Sequence, residues 1–171
     1  MARLLNNKGA IVELEGTVGS APAIDRKTGF HNCLKNYPDM QVLASQSGDF
    51  THAQGRTVMQ AFLKSYGKGI TALYAHNDDM ALGAIEAIEE FGLKPGVDIT
   101  IVSVDAERAA FEAMIAGKLN ATIECNPLLG PQFFETALKL ANKEPVEKWV
   151  KSNENIFRQD TAVQDLPRRL Y

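Results

Sequence analysis

The stretch "LYAHNDDMALGAIEAIEEFG", residues 73–92, decides the fold, because its pattern of apolar and polar residues changes in the middle. A run of apolar and small residues ends in four polar ones, His76 to Asp79, and apolar residues then recur at helical spacing as far as Gly92. This pattern predicts a strand joined to a helix by a polar turn. One Asn or Asp in that turn can cap the helix by accepting a hydrogen bond from a free N–H group of the first turn. The other polar side chains need a different explanation.

The same alternation of strand and helix continues along most of the chain. Short runs rich in β-forming residues lie at 10–16, 41–45, 71–75, 99–104 and 121–124. Amphipathic helical stretches lie between them, at about 22–36, 52–66, 79–91 and 107–116. Such units predict a parallel sheet with helices on both faces, because parallel neighbours need a crossover connection. The predicted fold class is therefore α/β, a doubly wound parallel sheet with the flavodoxin-like order 2-1-3-4-5.

The composition is that of an ordinary globular protein and argues against several classes of function. Of the 171 residues, 45% are hydrophobic and 23% are charged, and the formal net charge is -3. This charge provides no basic surface for nucleic acid. No apolar run approaches the roughly 20 residues that span a bilayer, and residues 1–16 lack the apolar core and cleavage site of a signal peptide.

The residues that could bind a metal or act as nucleophiles do not have the spacing of a metal site or a catalytic site. Cys33 and Cys125 fit neither a disulfide framework nor a metal-binding motif. We predict that Cys33 is buried within a helix, since free cysteine is often found in cores. His76, Asp78 and Asp79 are so close in sequence that, at a helix start, they point in different directions. No metal, cofactor or catalytic residue is predicted.

Polar and aromatic side chains collect in the loops that follow the predicted strands. In an open α/β sheet, ligands bind outside the carboxyl ends of the strands. Arg26, Phe50, Asn77 and Asp105 each follow a different strand, so we expect them to meet at that edge. Arginine offers a forked donor, asparagine and aspartate offer an amide and a carboxylate, and phenylalanine offers a flat apolar face. Together these groups suit a neutral carbohydrate.

Each of these residues also has a simpler interpretation. Arg26 could be a solvated helix residue paired with Asp25 or Glu15, because exposed arginine is the usual case. The asparagine and the aspartate could be plain helix caps, and the phenylalanine could be a core residue. Only their convergence on one edge of the sheet favours a binding site.

Taken in order, these loops resemble one protein family. The segments "EGTVGSAPAIDRKTGF", "SQSGDFT", "YAHNDDM", "SVDA" and "ATIECNPLLG" are similar to the second lobe of the periplasmic sugar-binding proteins of ABC transporters. The similarity extends from about Gly9 to Thr161 and is greatest in the ribose- and galactofuranose-binding branch. It implies a non-enzymatic solute-binding protein that holds a monosaccharide between two lobes. It also implies a membrane permease as partner and the periplasm as location.

The resemblance assigns ligand contacts to five residues. Arg26 precedes Lys-Thr-Gly-Phe, Phe50 follows Gly-Asp, and Asn77 lies in the Ala-x-Asn-Asp turn. Asp105 closes the fourth strand, and Cys125 takes a place near the hinge where ribose-binding members have Gln. That difference argues against ribose itself as the ligand. If the asparagine contacts the ligand, one of the two aspartates that follow it is expected to cap the helix, and Cys125 is expected to be partly buried.

The resemblance also divides the chain into three parts. Residues 1–126 correspond to the second, sugar-binding lobe, and residues 127–146 to a hinge and a crossover helix predicted at 128–142. Residues 147–171 correspond to a C-terminal strand and tail, with an extended segment at 147–157. The crossover helix would pack on a first lobe that precedes these residues in family members. We therefore expect a fragment, a half-length product or one partner of an assembly, completed by the missing N-terminal lobe or by a second copy of the chain.

Two other classes of function share this type of fold. The effector-sensing domain of a lac-repressor-type transcription regulator is the main alternative, and its full-length gene would begin with a helix-turn-helix. A small flavodoxin-like enzyme or response-regulator domain is disfavoured, because the first strand ends in "LEG" without the acidic cluster of a receiver domain.

Overall fold

Six strands and six α-helices follow one another in the computed structural model, which describes all of residues 1–171. The strands are β1 (Gly9–Glu15), β2 (Met40–Ser47), β3 (Ala72–Ala75), β4 (Thr100–Asp105), β5 (Ala121–Glu124) and β6 (Ile156–Arg158). The helices are α1 (Ala21–Leu34), α2 (His52–Tyr66), α3 (Asp78–Glu90), α4 (Arg108–Ile115), α5 (Gly130–Ala141) and α6 (Ala162–Asp165). Short 3-10 turns lie at Gly67–Gly69 and Leu166–Arg168. All of the predicted strands and helices are present.

The six strands form one sheet in the order β2-β1-β3-β4-β5-β6. Neighbours among the first five strands pair in parallel, which confirms the α/β fold class and the order 2-1-3-4-5. β6 pairs antiparallel with β5 and places Ile156 opposite Ile123. Only the end of the predicted extended segment at 147–157 joins the sheet, because β5 offers just four residues to pair with.

Helices cover both faces of the sheet, and each face has its own apolar core. On one face, the larger core includes Met59 from α2, Ile88 from α3 and Phe111 from α4. On the other face, α1 lies over a smaller cluster that includes Ile11 and Tyr74. The central strand β3 is buried along its whole length, as expected for a parallel strand covered on both faces.

The cap of α3 is Asn77, so the prediction that one of the following aspartates caps the helix is wrong. The side-chain oxygen of Asn77 accepts a hydrogen bond from the backbone N–H of Met80 at 3.1 Å. A cap needs an extended backbone just before the helix, and Asn77 has one, with φ -149 and ψ 170. Asp78 is already helical and fully buried, and Asp79 is exposed.

Both cysteines are exposed, so the predictions of a buried Cys33 and a partly buried Cys125 are wrong. α1 is a poorly buried helix in which only Ala23 is fully enclosed. Most of its side chains therefore stay accessible, and Cys33 is one of them. Cys125 is the first residue after β5, where the chain leaves the sheet.

α5 stands apart from the two cores. It lies within the helix predicted at 128–142, but none of its residues is buried. Phe133, Phe134, Leu138 and Leu140 are 58% to 66% exposed. The apolar face of this helix thus has no partner within the chain. No helix of the chain, α5 included, has both the length and the apolar character that crossing a membrane requires.

The C-terminal tail returns to the end of β5. Nη1 of Arg169 and the hydroxyl of Tyr171 each donate a hydrogen bond to Oε1 of Glu124, both at 2.9 Å. The guanidinium of Arg169 also lies 5.3 Å and 4.8 Å from the ring centroids of Phe111 and Phe157. These contacts fix the position of the end of the sheet from which the chain continues to α5.

Two glycines allow α2 and α3 to cross in close contact. A Cβ atom added to Gly55 would lie 2.6 Å from the Cα of Met80, and one added to Gly83 would collide with the carbonyl oxygen of His52. The backbones of the two helices therefore touch directly at these positions. Larger residues would force the helices apart.

We predict that Gly83→Ala lowers the free energy of unfolding by about 1–3 kcal/mol, the usual cost of overpacking. This loss should appear although alanine is the better helix former by about 1 kcal/mol. Gly29→Ala in α1 is the matched control, because its added Cβ would meet no atom within 4 Å. The control should be neutral or slightly stabilising. Urea denaturation measures both variants, and equal effects would contradict the close helix crossing.

Candidate functional site

The five predicted site residues all lie at the carboxyl edge of the sheet. Arg26 lies in the second turn of α1, Phe50 in the loop after β2, and Asn77 at the start of α3. Asp105 is the last residue of β4, and Cys125 follows β5. Parallel pairing places these positions side by side although they are far apart in sequence. Side-chain contacts join four of the five, and a backbone hydrogen bond joins Cys125 to Asp105.

Arg26 is the centre of this group. Its Nη2 donates to Oδ1 of Asp105 at 3.0 Å, and its Nη1 donates to the backbone carbonyl of His76. The guanidinium carbon lies 5.6 Å from the centroid of the Phe50 ring, within the range of a cation–π contact. The alternative pairing of Arg26 with Asp25 or Glu15 is wrong, because Arg26 pairs with Asp105, and Glu15 pairs with Lys27 at 2.7 Å.

Phe50 is fixed by its backbone and by the small residue beneath it. A Cβ atom added to Gly16 would overlap the ring of Phe50, so the ring lies directly against the Gly16 backbone. The φ angles of Asp49 and Phe50 are 53° and 58°. Residues other than glycine rarely adopt this left-handed backbone region. The carbonyl oxygen of Phe50 accepts a hydrogen bond from Nδ2 of Asn77 at 3.0 Å. The ring is therefore half-buried and held in one place.

Asn77 has two structural roles at once. Its oxygen caps α3, and its nitrogen donates to the Phe50 carbonyl. The residue is 6% exposed. An amide nitrogen carries two N–H groups, and the second one makes no hydrogen bond within the chain. Asn77 thus joins the loops after β2 and β3 and keeps one donor free.

Asp105 ends β4 with an unusual backbone. Its φ is 124°, and that of Ala106 is 63°. The Asp105 carbonyl accepts a hydrogen bond from the backbone N–H of Cys125 at 3.2 Å, which is the one link from Cys125 to the other site residues. Burial raises the pKa of the Asp105 carboxyl, and the positive charge of Arg26 opposes that rise. Oδ2 of Asp105 makes no hydrogen bond within the chain.

A buried glutamate lies beneath these groups. Glu13, in the middle of β1, is fully buried, and its Oε1 lies 3.1 Å from Nε2 of His76. Its Oε2 lies 2.8 Å from Nε2 of His31 and accepts a hydrogen bond from the Ser45 hydroxyl at 2.6 Å. Burial alone would raise the pKa of Glu13. The hydrogen bonds outweigh burial and hold that pKa below its usual value, so Glu13 carries a buried negative charge.

Asp78 forms a second buried acidic group, close to Asp105. It accepts hydrogen bonds from the hydroxyls of Ser103 and Thr122 and, at 2.8 Å, from the backbone N–H of Glu107. These partners belong to β4, β5 and the turn before α4. Burial raises the pKa of Asp78 to about 7. Asp78 therefore joins β4 and β5 to the start of α3.

The sequence matches a known family over most of its length. Residues 1–145 match the model of a periplasmic binding protein domain. The chain belongs to the periplasmic binding protein family. Its fold is that of one lobe of such a protein.

Individual relatives of this periplasmic binding protein carry names that refer to sugars. The galactofuranose-binding protein YtfQ of Escherichia coli is 44% identical over 164 residues, which are 93% of this chain and 51% of YtfQ. The periplasmic binding protein of the arabinose ABC transporter from a Shewanella species, bound to α- and β-L-arabinofuranose, is 42% identical with a TM-score of 0.92. That match covers 99% of this chain and 57% of the other.

A third match has a different furanose as its ligand. A Mycobacterium smegmatis protein in complex with β-D-fucofuranose is 48% identical with a TM-score of 0.88, over 97% of this chain and 54% of that one. The chain spans about half the length of the curated relatives that it matches.

Sequence reasoning about this periplasmic binding protein missed the residues beneath the site. It treated His76 only as a possible metal ligand and did not consider Glu13 or Gly16. A signal was present in the strand "AIVELEG", where a glutamate interrupts an apolar run. A charge inside a buried strand requires partners, and their identity became visible only in the fold.

The raised pKa of Asp78 gives a testable dependence on pH. The folded-state pKa of about 7 lies above the ordinary value of 3.8, so the native state retains a proton that the unfolded state loses. The contribution of Asp78 to stability is therefore complete below about pH 4 and is lost as pH rises through 7. We predict that wild type loses stability relative to Asp78→Asn over this interval. Urea denaturation at several pH values measures the difference, and a constant difference would contradict the raised pKa.

Proposed function

We propose that residues 1–126 are the second lobe of a solute-binding protein of a sugar ABC transporter, and that this lobe holds a monosaccharide non-covalently at its carboxyl edge. The position of Arg26 is the observation that carries this proposal. Its guanidinium joins Asp105 to the His76 carbonyl beside the ring of Phe50. The side chains of Arg26 and Asp105 are 17% and 23% exposed. The pair is fixed in place and still accessible to a ligand.

The groups left free at this edge suit the hydroxyl groups of a sugar. Oδ2 of Asp105 can accept a hydrogen bond, and the second N–H of Asn77 can donate one. Arg26 has five N–H donors. One on Nη1 bonds to the His76 carbonyl and one on Nη2 bonds to Asp105, which leaves the others for a ligand. The Phe50 ring supplies an apolar surface for the C–H groups of a sugar ring. Vicinal hydroxyls both donate and accept, so they match this mixture of groups.

The ligands named for the related proteins narrow the class of sugar. Galactofuranose, arabinofuranose and fucofuranose all have five-membered rings. We therefore propose an aldose in its furanose form as the ligand of this chain. Cys125, beside Asp105 at the end of β5, is proposed to contribute to the choice among such sugars.

The proposed activity is binding without chemical change. The related proteins are described as binding proteins. Arg26 and Asp105 already pair with each other, which favours orienting a ligand over transferring a proton to it. The alternative of a lac-repressor-type effector domain has no support among the relatives, whose names refer to sugar binding and import.

A first lobe completes the proposed site. One lobe covers one side of a ligand, whereas small-molecule sites bury most of the ligand surface. In this proposal, residues 127–146 form a hinge and the helix that packs on the first lobe, and residues 147–171 return as a strand and tail. The exposed apolar face of α5 supports this arrangement, because unpartnered apolar patches tend to mark contact surfaces. The complete protein delivers its sugar to a membrane permease from the periplasm.

We predict that Arg26→Ala weakens monosaccharide binding about ten- to a hundredfold in a protein that contains both lobes. Hydrogen bonds from a charged donor contribute about 1.5–3 kcal/mol, and their loss gives this range. Lys27→Ala is the matched control, because Lys27 pairs with Glu15 outside the site. Isothermal titration calorimetry with galactose, arabinose and their methyl furanosides measures the affinities. Equal affinities for the two variants would contradict the assignment of Arg26.

We predict that the chain by itself self-associates through the apolar face of α5. Phe133→Gln and Leu138→Gln should each reduce this association without loss of fold, because neither side chain is buried. Val97→Gln is the control, since Val97 is 71% exposed but lies in the loop before β4. Sedimentation velocity over a range of concentrations measures the mass. A wild-type chain that remains monomeric at high concentration would show that α5 needs no partner.

A further inference from the structure

We infer that Glu13 is a positioning residue for the binding site, acting through His76 on both Arg26 and Phe50. Glu13 touches no position that a ligand can reach, because it is fully buried in β1. The inference goes beyond the proposed function, and it rests on that function only for the identity of the ligand. It follows from the bonds that surround the carboxylate.

Three donors from three separate elements meet on Glu13. His31 reaches it from α1, Ser45 from β2 and His76 from the turn after β3. A buried charge is tolerated only where hydrogen bonds replace water. The carboxylate therefore fixes the relative positions of all three elements. Two of them, α1 and the turn after β3, also carry groups of the proposed site.

The pattern of hydrogen bonds fixes the proton on the His76 ring. The backbone N–H of Gly16 donates to Nδ1 of His76 at 3.3 Å. Nδ1 is therefore the acceptor, and Nε2 carries the proton that it donates to Glu13. The ring links Glu13 to Gly16 in one orientation. Without the glutamate, only the N–H of Gly16 holds the ring, and Nε2 loses its partner.

Gly16 and His76 each contact a side chain of the proposed site. Gly16 is the residue on which the Phe50 ring lies. The backbone carbonyl of His76 accepts the hydrogen bond from Nη1 of Arg26. A change at Glu13 therefore reaches the aromatic surface through Gly16 and the guanidinium through His76. Binding sites depend on side chains that are held in place by such supporting bonds.

The substitution Glu13→Gln tests the inference while keeping the size of the side chain. Glutamine has one acceptor oxygen and an NH2 group, so it cannot accept from all three donors. We expect the ring nitrogen signals of His76 to show a changed tautomer or orientation in NMR spectra of the chain. We also expect the Nε–H signal of Arg26 to move. In a protein with both lobes, the affinity for a methyl furanoside should fall about tenfold, which is about 1.4 kcal/mol.

Glu15→Gln is the matched control on the same strand. Glu15 bonds to Lys27 but not to His76, and the single hydroxyl proton of Ser45 is donated to Glu13. The control should leave the Arg26 signal and the sugar affinity unchanged. In the Arg26→Ala background, Glu13→Gln should lower affinity by less than in wild type, because part of its effect passes through Arg26.

The outcomes distinguish a role of Glu13 in positioning the site from a role in stability alone. Loss of stability in Glu13→Gln with unchanged Arg26 signal and unchanged affinity would overturn the inference. If Glu13→Gln does not fold, His76→Gln decides the question. That variant keeps an N–H donor for Glu13 but lacks the ring whose second nitrogen accepts from Gly16. An unaltered Arg26 signal and affinity would again overturn the inference. If the wild-type two-lobed protein binds no monosaccharide, the proposed function fails, and the Arg26 signal still decides the role of Glu13.

Discussion

Five neighbouring strands of this chain run parallel, and their common direction places every group of the proposed site. All carboxyl ends of a parallel sheet lie on one edge, so the loops that follow the strands lie side by side. Arg26 can thus pair with Asp105, which lies 79 positions later in the sequence. The same constraint buries the central strands on both faces. A glutamate within such a strand must find its partners inside the fold, and Glu13 finds them in the elements that carry the site.

Backbone strain is concentrated at this edge. Four non-glycine residues there have positive φ angles: Asp49, Phe50, Asp105 and Ala106. Such conformations cost on the order of 1–3 kcal/mol each and persist where surrounding bonds fix them. The carbonyl of Phe50 is held by Asn77, and that of Asp105 is held by the backbone N–H of Cys125. These bonds maintain the loop geometry that presents the aromatic ring and the carboxylate.

The sequence was sufficient to predict the sheet order and the meeting of four residues of the proposed site, because both depend on short-range patterns. Strand runs, helical spacing and the rule for carboxyl ends can be read one segment at a time. The errors concern relations across the fold. Whether Cys33 is buried depends on how closely α1 approaches the sheet. Whether Asn77 or Asp78 caps α3 depends on the backbone of a single residue, and the partners of Glu13 come from segments far apart in sequence.

The end of β5 connects this fixed edge to the part of the chain that the proposed first lobe contacts. Glu124 accepts hydrogen bonds from Arg169, from Tyr171 and, at 3.1 Å, from the backbone N–H of Asn155. It therefore holds the segment that leaves the sheet beside the segment that returns to it. Glu124 and Arg169 are 6% and 8% exposed, and breaking a buried ion pair is costly. Movement of one lobe against the other is therefore expected to bend the chain beyond Cys125 rather than within the sheet. In the proposed two-lobed protein, the geometry around Arg26 is therefore expected to be the same with the cleft open or closed, and the proposed affinity of this lobe depends on bonds that form before a sugar arrives.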